Sequence, residues 1–221
     1  MEVLHQMNYW PEFLFVAGAH LLAVASPGPD FAIVLRQSIL HGRRTAVFTS
    51  LGIGTGILTH VGYSLLGLGL LISQSQLWFD VVKYLGAAYL AWIGGHAVLA
   101  KPAAVNGAGA STGSTAAPVD PPESHGAYLA GFLVNVLNPK AALFFIALFS
   151  VGINPHTPRL IQAGYGLWMA FATALWFTLV SVFFTHEPVR RNFLRFGHWF
   201  ERVMGVLLLA LSVRLALASL K

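Results

Sequence analysis

Six apolar segments recur along this 221-residue chain, at residues 10–40, 47–71, 77–99, 128–153, 160–184 and 200–220. A hydrocarbon core about 30 Å thick takes roughly 20 helical residues to cross, so few soluble folds accommodate this spacing. Composition agrees: 56% of the residues are hydrophobic and only 10% charged, with a mean hydropathy of +0.68, where a soluble domain carries about 25% charge. The chain is expected to be an all-α, multi-pass membrane protein with six transmembrane helices.

Two of these segments are interrupted. Ser26-Pro27-Gly28-Pro29-Asp30 sits inside the first, and Asn138-Pro139-Lys140 inside the fourth. Proline removes a backbone donor and clashes with the preceding turn, and glycine weakens a helix interior. Helices 1 and 4 are therefore expected to be broken at mid-membrane. Pro29 and Pro139 lie 110 residues apart, and the same shift carries the second segment onto the fifth. A duplicated unit with an odd number of spans inserts its copies in opposite orientations, so the reading is of two inverted three-helix repeats, residues 1–99 and 127–221. Paired Gly/Pro interruptions in such repeats mark the binding site of many secondary transporters. Residues 100–126, rich in Ala, Gly, Ser, Thr and Pro, read as a flexible cytoplasmic linker.

Positive charge fixes an expected orientation. Arg36, Arg43, Arg44, Lys101, Arg190, Arg191, Arg195 and Arg202 fall on one side; Lys83, Arg159, Arg214 and Lys221 fall on the other, with Lys140 inside a span. The richer side is cytoplasmic under the positive-inside rule, which puts both termini outside. The first twelve residues hold two glutamates and no Lys or Arg, the reverse of a secretory n-region, so the first apolar segment is expected to be retained. The net charge of +5 follows the loops rather than forming a nucleic-acid patch. The segment from Arg190 to Arg202 is a topology signal first, with anionic-lipid contact left open.

Asp30 is the one acid deep in an apolar segment, and Lys140 the one deep lysine. Each costs about 2.5–3.5 kcal/mol at a helix centre on insertion scales and is a functional candidate by default. Asp30 also has a structural reading, since a carboxylate in the first turn of a half-helix suits the dipole. Lys140 opposes that dipole, which calls for an anion nearby, either Asp30 or a substrate carboxylate. Half-helix N-termini offer free N–H groups to an anion, and unwound carbonyls receive a cation. A small charged or zwitterionic solute suits both.

The candidate substrate-binding residues are Ser26, Pro27, Gly28, Pro29, Asp30, Asn135, Asn138, Pro139 and Lys140. Proton coupling is assigned to Asp30 and His60; His60 has the alternative of an interhelical hydrogen bond, and His20 reads as structural. The run Gly52-Ile53-Gly54-Thr55-Gly56 follows no strand and reads as close helix packing rather than a dinucleotide loop. The chain lacks cysteine, and no metal set, nucleophile elbow or phosphate loop is present. No cofactor and no catalytic residue are expected, and homo-oligomerisation stays open.

The same residues carry a family resemblance. Together with Lys83-Tyr84-Leu85-Gly86-Ala87-Ala88-Tyr89-Leu90, Gly131-Phe132-Leu133, Asn138-Pro139-Lys140-Ala141-Ala142 and Trp199-Phe200-Glu201-Arg202, the Ser-Pro-Gly-Pro-Asp motif makes the chain resemble the LysE/RhtB-type amino acid exporters over nearly its whole length. The resemblance implies amino acid export across the bacterial inner membrane, driven by proton antiport, with substrate at the two breaks. Asp30, where many relatives have Asn, implies the branch acting on threonine, homoserine and similar neutral amino acids. Phe149-Ser150-Val151-Gly152 replaces a frequent Pro-Gln-Phe, and Ser212 stands where glycine is frequent. An intramembrane enzyme acting on lipid or peptide is the alternative, discriminated by activity that ignores the transmembrane gradient. An ion channel or sensor subunit is a third, discriminated by conductance without saturable substrate dependence.

Overall fold

A computed structural model describes residues 9–68, 76–100, 123–154 and 156–217, and every regular element among them is helical. The first span is two helices, α1 (Trp10–Ala25) and α2 (Pro29–Leu40), bent by 53° at the break. The backbone turns extended at Ser26 and Gly28, and α2 restarts with Pro29 at its first position. Two of the residues at the break are prolines and carry no N–H, so the interruption strands fewer donors than a break elsewhere.

The fourth span repeats the device. α5 (Ser124–Val136) and α6 (Pro139–Ala147) also meet at 53°, and a π-helical turn, Leu148–Gly152, follows α6. Asn138 caps α6 through Oδ1, which accepts from the Lys140 backbone N–H at 2.9 Å. Asn, then Pro at the first helical position, is the ordinary grammar of a helix start. Here it is written inside a membrane-length segment.

Between them lies α3 (Gly42–Tyr63), followed by a π-helical turn, Ser64–Leu68. A single residue, His41, separates α2 from α3, and Gly42 takes φ +79° to complete that turn. α4 (Gln76–Val98), α7 (Arg159–Phe184) and α8 (Glu187–Ala216) complete the described chain. α3 is the hub. It packs on α5 where Gly52 lies against the Tyr128 carbonyl and Gly131 against that of Thr49, and on α7 where Gly54 meets Ala174 and Gly166 meets Val61. A Cβ at any of these glycines overlaps its neighbour, so the small residues set the helix separation. α4 and α8 pair in the same way through Gly94 and Gly205.

Among the described residues, three elements are long and apolar enough to cross a membrane: α7, and the two bent pairs taken as single spans. The other expected spans fall on α3, α4 and α8, which are 22, 23 and 30 residues long; Gly, Thr and charged residues dilute their hydropathy. α8 starts at Glu187 rather than near residue 200, so the helix takes in the basic segment as well as the expected last span. Most of the expected linker, residues 101–122, lies outside the described residues, and α5 begins at Ser124, inside its expected boundary.

The surface suits lipid. Leu167, Phe171, Leu175, Leu179 and Phe183 form an exposed stripe along α7, a contiguous apolar face that water would penalise. Inside, hydroxyls of Ser38, Thr49, Ser50 and Ser150 each donate to the carbonyl four residues back, as polar groups in oil must find partners locally. At one end of the molecule, Glu12 accepts from the Asn154 backbone and from the Thr157 hydroxyl. At another, Arg202 donates to the Ala100 carbonyl. Both contacts join segments that the charge reading put on one side of the membrane.

Candidate functional site

The two breaks line one cavity. Ser26, Gly28 and Asp30 from the first span and Asn135, Asn138 and Lys140 from the fourth lie around it, with His20, Ile57, Phe144, Phe145, Thr173 and Phe177 among the other lining residues. It encloses about 570 Å³ of space between atoms, open mouth included.

Hydrogen bonds cross from one break to the other. Asn135 Nδ2 donates to Asp30 Oδ2 at 2.9 Å, and Lys140 Nζ donates to the Ser26 carbonyl at 2.6 Å. The Ser26 carbonyl belongs to the end of α1, where helix carbonyls lose their intrahelical partners, so the ammonium answers an unwound carbonyl. The anion expected beside Lys140 is therefore not in direct ion pair with it; each charge is held by a neutral group of the other broken helix pair. The Lys140 side chain lies over Gly28, whose Cα would carry a Cβ 3.4 Å from Lys140 Cδ.

Several buried polar atoms here have no protein partner: Ser26 Oγ, Asp30 Oδ1, Asn135 Oδ1 and His20 Nδ1. Asn135 Oδ1 faces α3 at Gly56, where a Cβ would come within 2.7 Å of it. Buried groups left unpaired cost about 1–3 kcal/mol each, so four of them around one cavity make it the candidate site.

Of the sequence candidates, Ser26, Gly28, Asp30, Asn135, Asn138 and Lys140 converge. Pro27, Pro29 and Pro139 shape the breaks without lining the cavity. His60 sits one layer behind. Its Nε2 meets the Asn135 carbonyl at 3.1 Å, its Nδ1 meets the Tyr63 hydroxyl at 2.8 Å, and its ring stacks on Phe145. The Tyr63 hydroxyl reaches in turn to the Ala142 carbonyl at 3.4 Å. Thus α3 grips the fourth span on both sides of its break. The interhelical hydrogen bond anticipated for His60 is present.

Sequence reasoning missed Thr173, Phe144, Phe145 and the cavity position of His20. Thr173 lies in an unbroken span with no charge to single it out, and the phenylalanines are indistinguishable by pattern from lipid-facing ones.

Two bent, membrane-length helix pairs that share a cavity inside an apolar helical body mark a membrane protein. The LysE type translocator family model matches residues 21–219, and the chain belongs to that family. It is 30% identical over 208 residues to the threonine efflux protein of Escherichia coli strain K12, covering 93% of this chain and 98% of that one. It is 36% identical over 156 residues to the homoserine/homoserine lactone efflux protein of Salmonella typhimurium, covering 70% of this chain and 69% of the other. An uncharacterized membrane protein of Escherichia coli strain K12 is 27% identical over 198 residues. No solved structure matches the chain.

Proposed function

We propose that this protein is a secondary transporter that exports small neutral amino acids of the threonine and homoserine kind from the bacterial cytoplasm, across the inner membrane, by exchange for protons. Membership of a translocator family supports transport, and the names of the relatives support amino acid efflux. The observation that carries the reading is the pair of bonds across the breaks, Asn135 to Asp30 and Lys140 to Ser26, around one cavity. It puts an anion and a cation of fixed position inside an apolar body, the complement of a zwitterion. The substrate ammonium sits at Asp30 Oδ1 and its carboxylate at Lys140 Nζ, which has two N–H groups beyond the one given to Ser26.

Coupling follows from competition at one carboxyl. Asp30 pairs with an ammonium only when ionised, so a proton arriving from the acidic outer side displaces the substrate, and loss of that proton to the cytoplasm readies the site again. His60 acts as a second proton site. Neutral, with Nε2–H toward the Asn135 carbonyl, it accepts from Tyr63 at Nδ1; protonated, it donates there, and the Tyr63 hydrogen turns to the Ala142 carbonyl. Each proton state thus changes what holds the broken span.

The two three-span units, residues 1–99 and 127–221, are inverted repeats that rock against one another around the site, joined by residues 100–126 on the cytoplasmic side. The equal 53° bends and the pairing of counterpart helices, α3 with α7 and α4 with α8, support this. Gly94 and Gly205 each lie against the other's carbonyl, as contacts across a two-fold axis do.

The test is efflux from proteoliposomes under an imposed pH difference. Wild-type protein moves threonine or homoserine faster when the receiving side is more acidic. Asp30→Asn, folded to the same thermal stability, loses that acceleration. Full pH-driven efflux by Asp30→Asn removes Asp30 from the coupling role.

A further inference from the structure

We propose that His20 is a specificity-determining residue that accepts a hydrogen bond from a hydroxyl on the substrate's side chain. The inference rests on the amino acid reading above and assigns a residue that the sequence marks only as packing.

The chemistry starts from what surrounds the imidazole. His20 is 1% exposed, and its ring packs among Phe144, Phe145 and Trp168. Nε2 lies 3.1 Å from the Met169 carbonyl and 2.9 Å from Thr173 Oγ1. A carbonyl only accepts, so Nε2 carries the hydrogen, and in the neutral imidazole Nδ1 is left as a bare lone pair. Nδ1 is buried and has no protein partner. His20 and Thr173 both line the cavity, and a cavity occupant that reaches that lone pair satisfies it only as a donor.

Position distinguishes this acceptor from those at the break. His20 precedes Ser26 by six residues on α1, about 9 Å along the helix axis. An acceptor that far up α1 from the break is a separate point of contact from the one at the break. An ammonium and a hydroxyl three or four bonds apart, each in a hydrogen bond of about 2.8 Å, do cover that distance. Phe144 and Phe145 supply the apolar wall along which the intervening carbons lie. The Met169 carbonyl fixes the tautomer: with Nε2–H committed to α7, Nδ1 stays an acceptor. The subsite therefore favours short hydroxylated neutral side chains over their methyl isosteres, which leave Nδ1 unpaired.

The experiment is competitive counterflow by the full chain in proteoliposomes, using isosteric pairs: homoserine against norvaline, and threonine against valine. Wild-type protein is expected to favour the hydroxylated member of each pair by about tenfold or more, the scale on which a buried acceptor rejects an analogue that cannot donate. His20→Leu brings the ratio to about one. His20→Asn, which returns an acceptor near the Nδ1 position, restores part of it and serves equally if the Leu variant does not fold. A wild-type ratio near one, with amino acids exchanging normally, overturns this proposal alone, as does a His20→Leu ratio equal to wild type. If the wild-type protein exchanges none of the four, the amino acid reading falls, and the His20 assignment falls with it.

Discussion

Lys140 holds a cation 2.6 Å from the Ser26 carbonyl, at a helix start that electrostatically disfavours it. One bond to a neutral carbonyl is a modest return for an ammonium inside an apolar body, and its two remaining hydrogens are what a carboxylate takes. Lys140→Met keeps the aliphatic stem and removes the charge. The apparent KM for amino acid is expected to rise about tenfold or more, the range for a lost hydrogen bond to a charged group, while thermal unfolding in detergent changes little. Unaltered KM with normal folding assigns Lys140 to structure. Asn135 is the opposite case. It is fully buried and holds Asp30, so Asn135→Leu leaves a carboxylate without its donor and is expected to cost about 1–3 kcal/mol of stability by denaturant unfolding. Asp30 and Lys140 were legible in the sequence because a charge in oil announces itself. His20 and Thr173 were not, since a neutral side chain on an unbroken helix gives no sign of which neighbour it faces.

The helices owe their spacing to glycine. Gly131 lies against the Thr49 carbonyl and Gly52 against that of Tyr128, so α3 and α5 approach at backbone contact. Gly131→Ala pushes them apart and is expected to destabilise by about 1–3 kcal/mol, the cost of overpacking. Gly62→Ala, with nothing within 4 Å of the added methyl, serves as the control in the same thermal-unfolding series. Equal effects at the two positions contradict the packing account. Both breaks were readable from Pro27, Pro29 and Pro139, because proline acts through local backbone sterics that need no knowledge of the fold. The start of α8 at Glu187 was not: Arg190 to Arg202 falls mostly outside the last apolar segment, yet its backbone is helical. The glycines announced close packing without naming partners, since any pair of small faces satisfies the same pattern.

At the scale of the whole molecule, two contacts join segments that the charge distribution puts on a common side. Glu12 meets Asn154 and Thr157, and Arg202 meets Ala100. Which end faces which compartment is a prediction with a direct check, because the chain has no cysteine. A single cysteine at His156 is expected to react with an impermeant maleimide in intact cells, and one at His186 only after permeabilisation; the reverse pattern inverts the topology. The central claim is that the facing breaks form the amino acid site. Counterflow of labelled threonine and homoserine by the purified protein, wild type beside Lys140→Met, tests it most directly. The account predicts saturable exchange by the wild type that Lys140→Met largely loses. No exchange by the wild type under any imposed pH difference, or equal exchange by both, contradicts it.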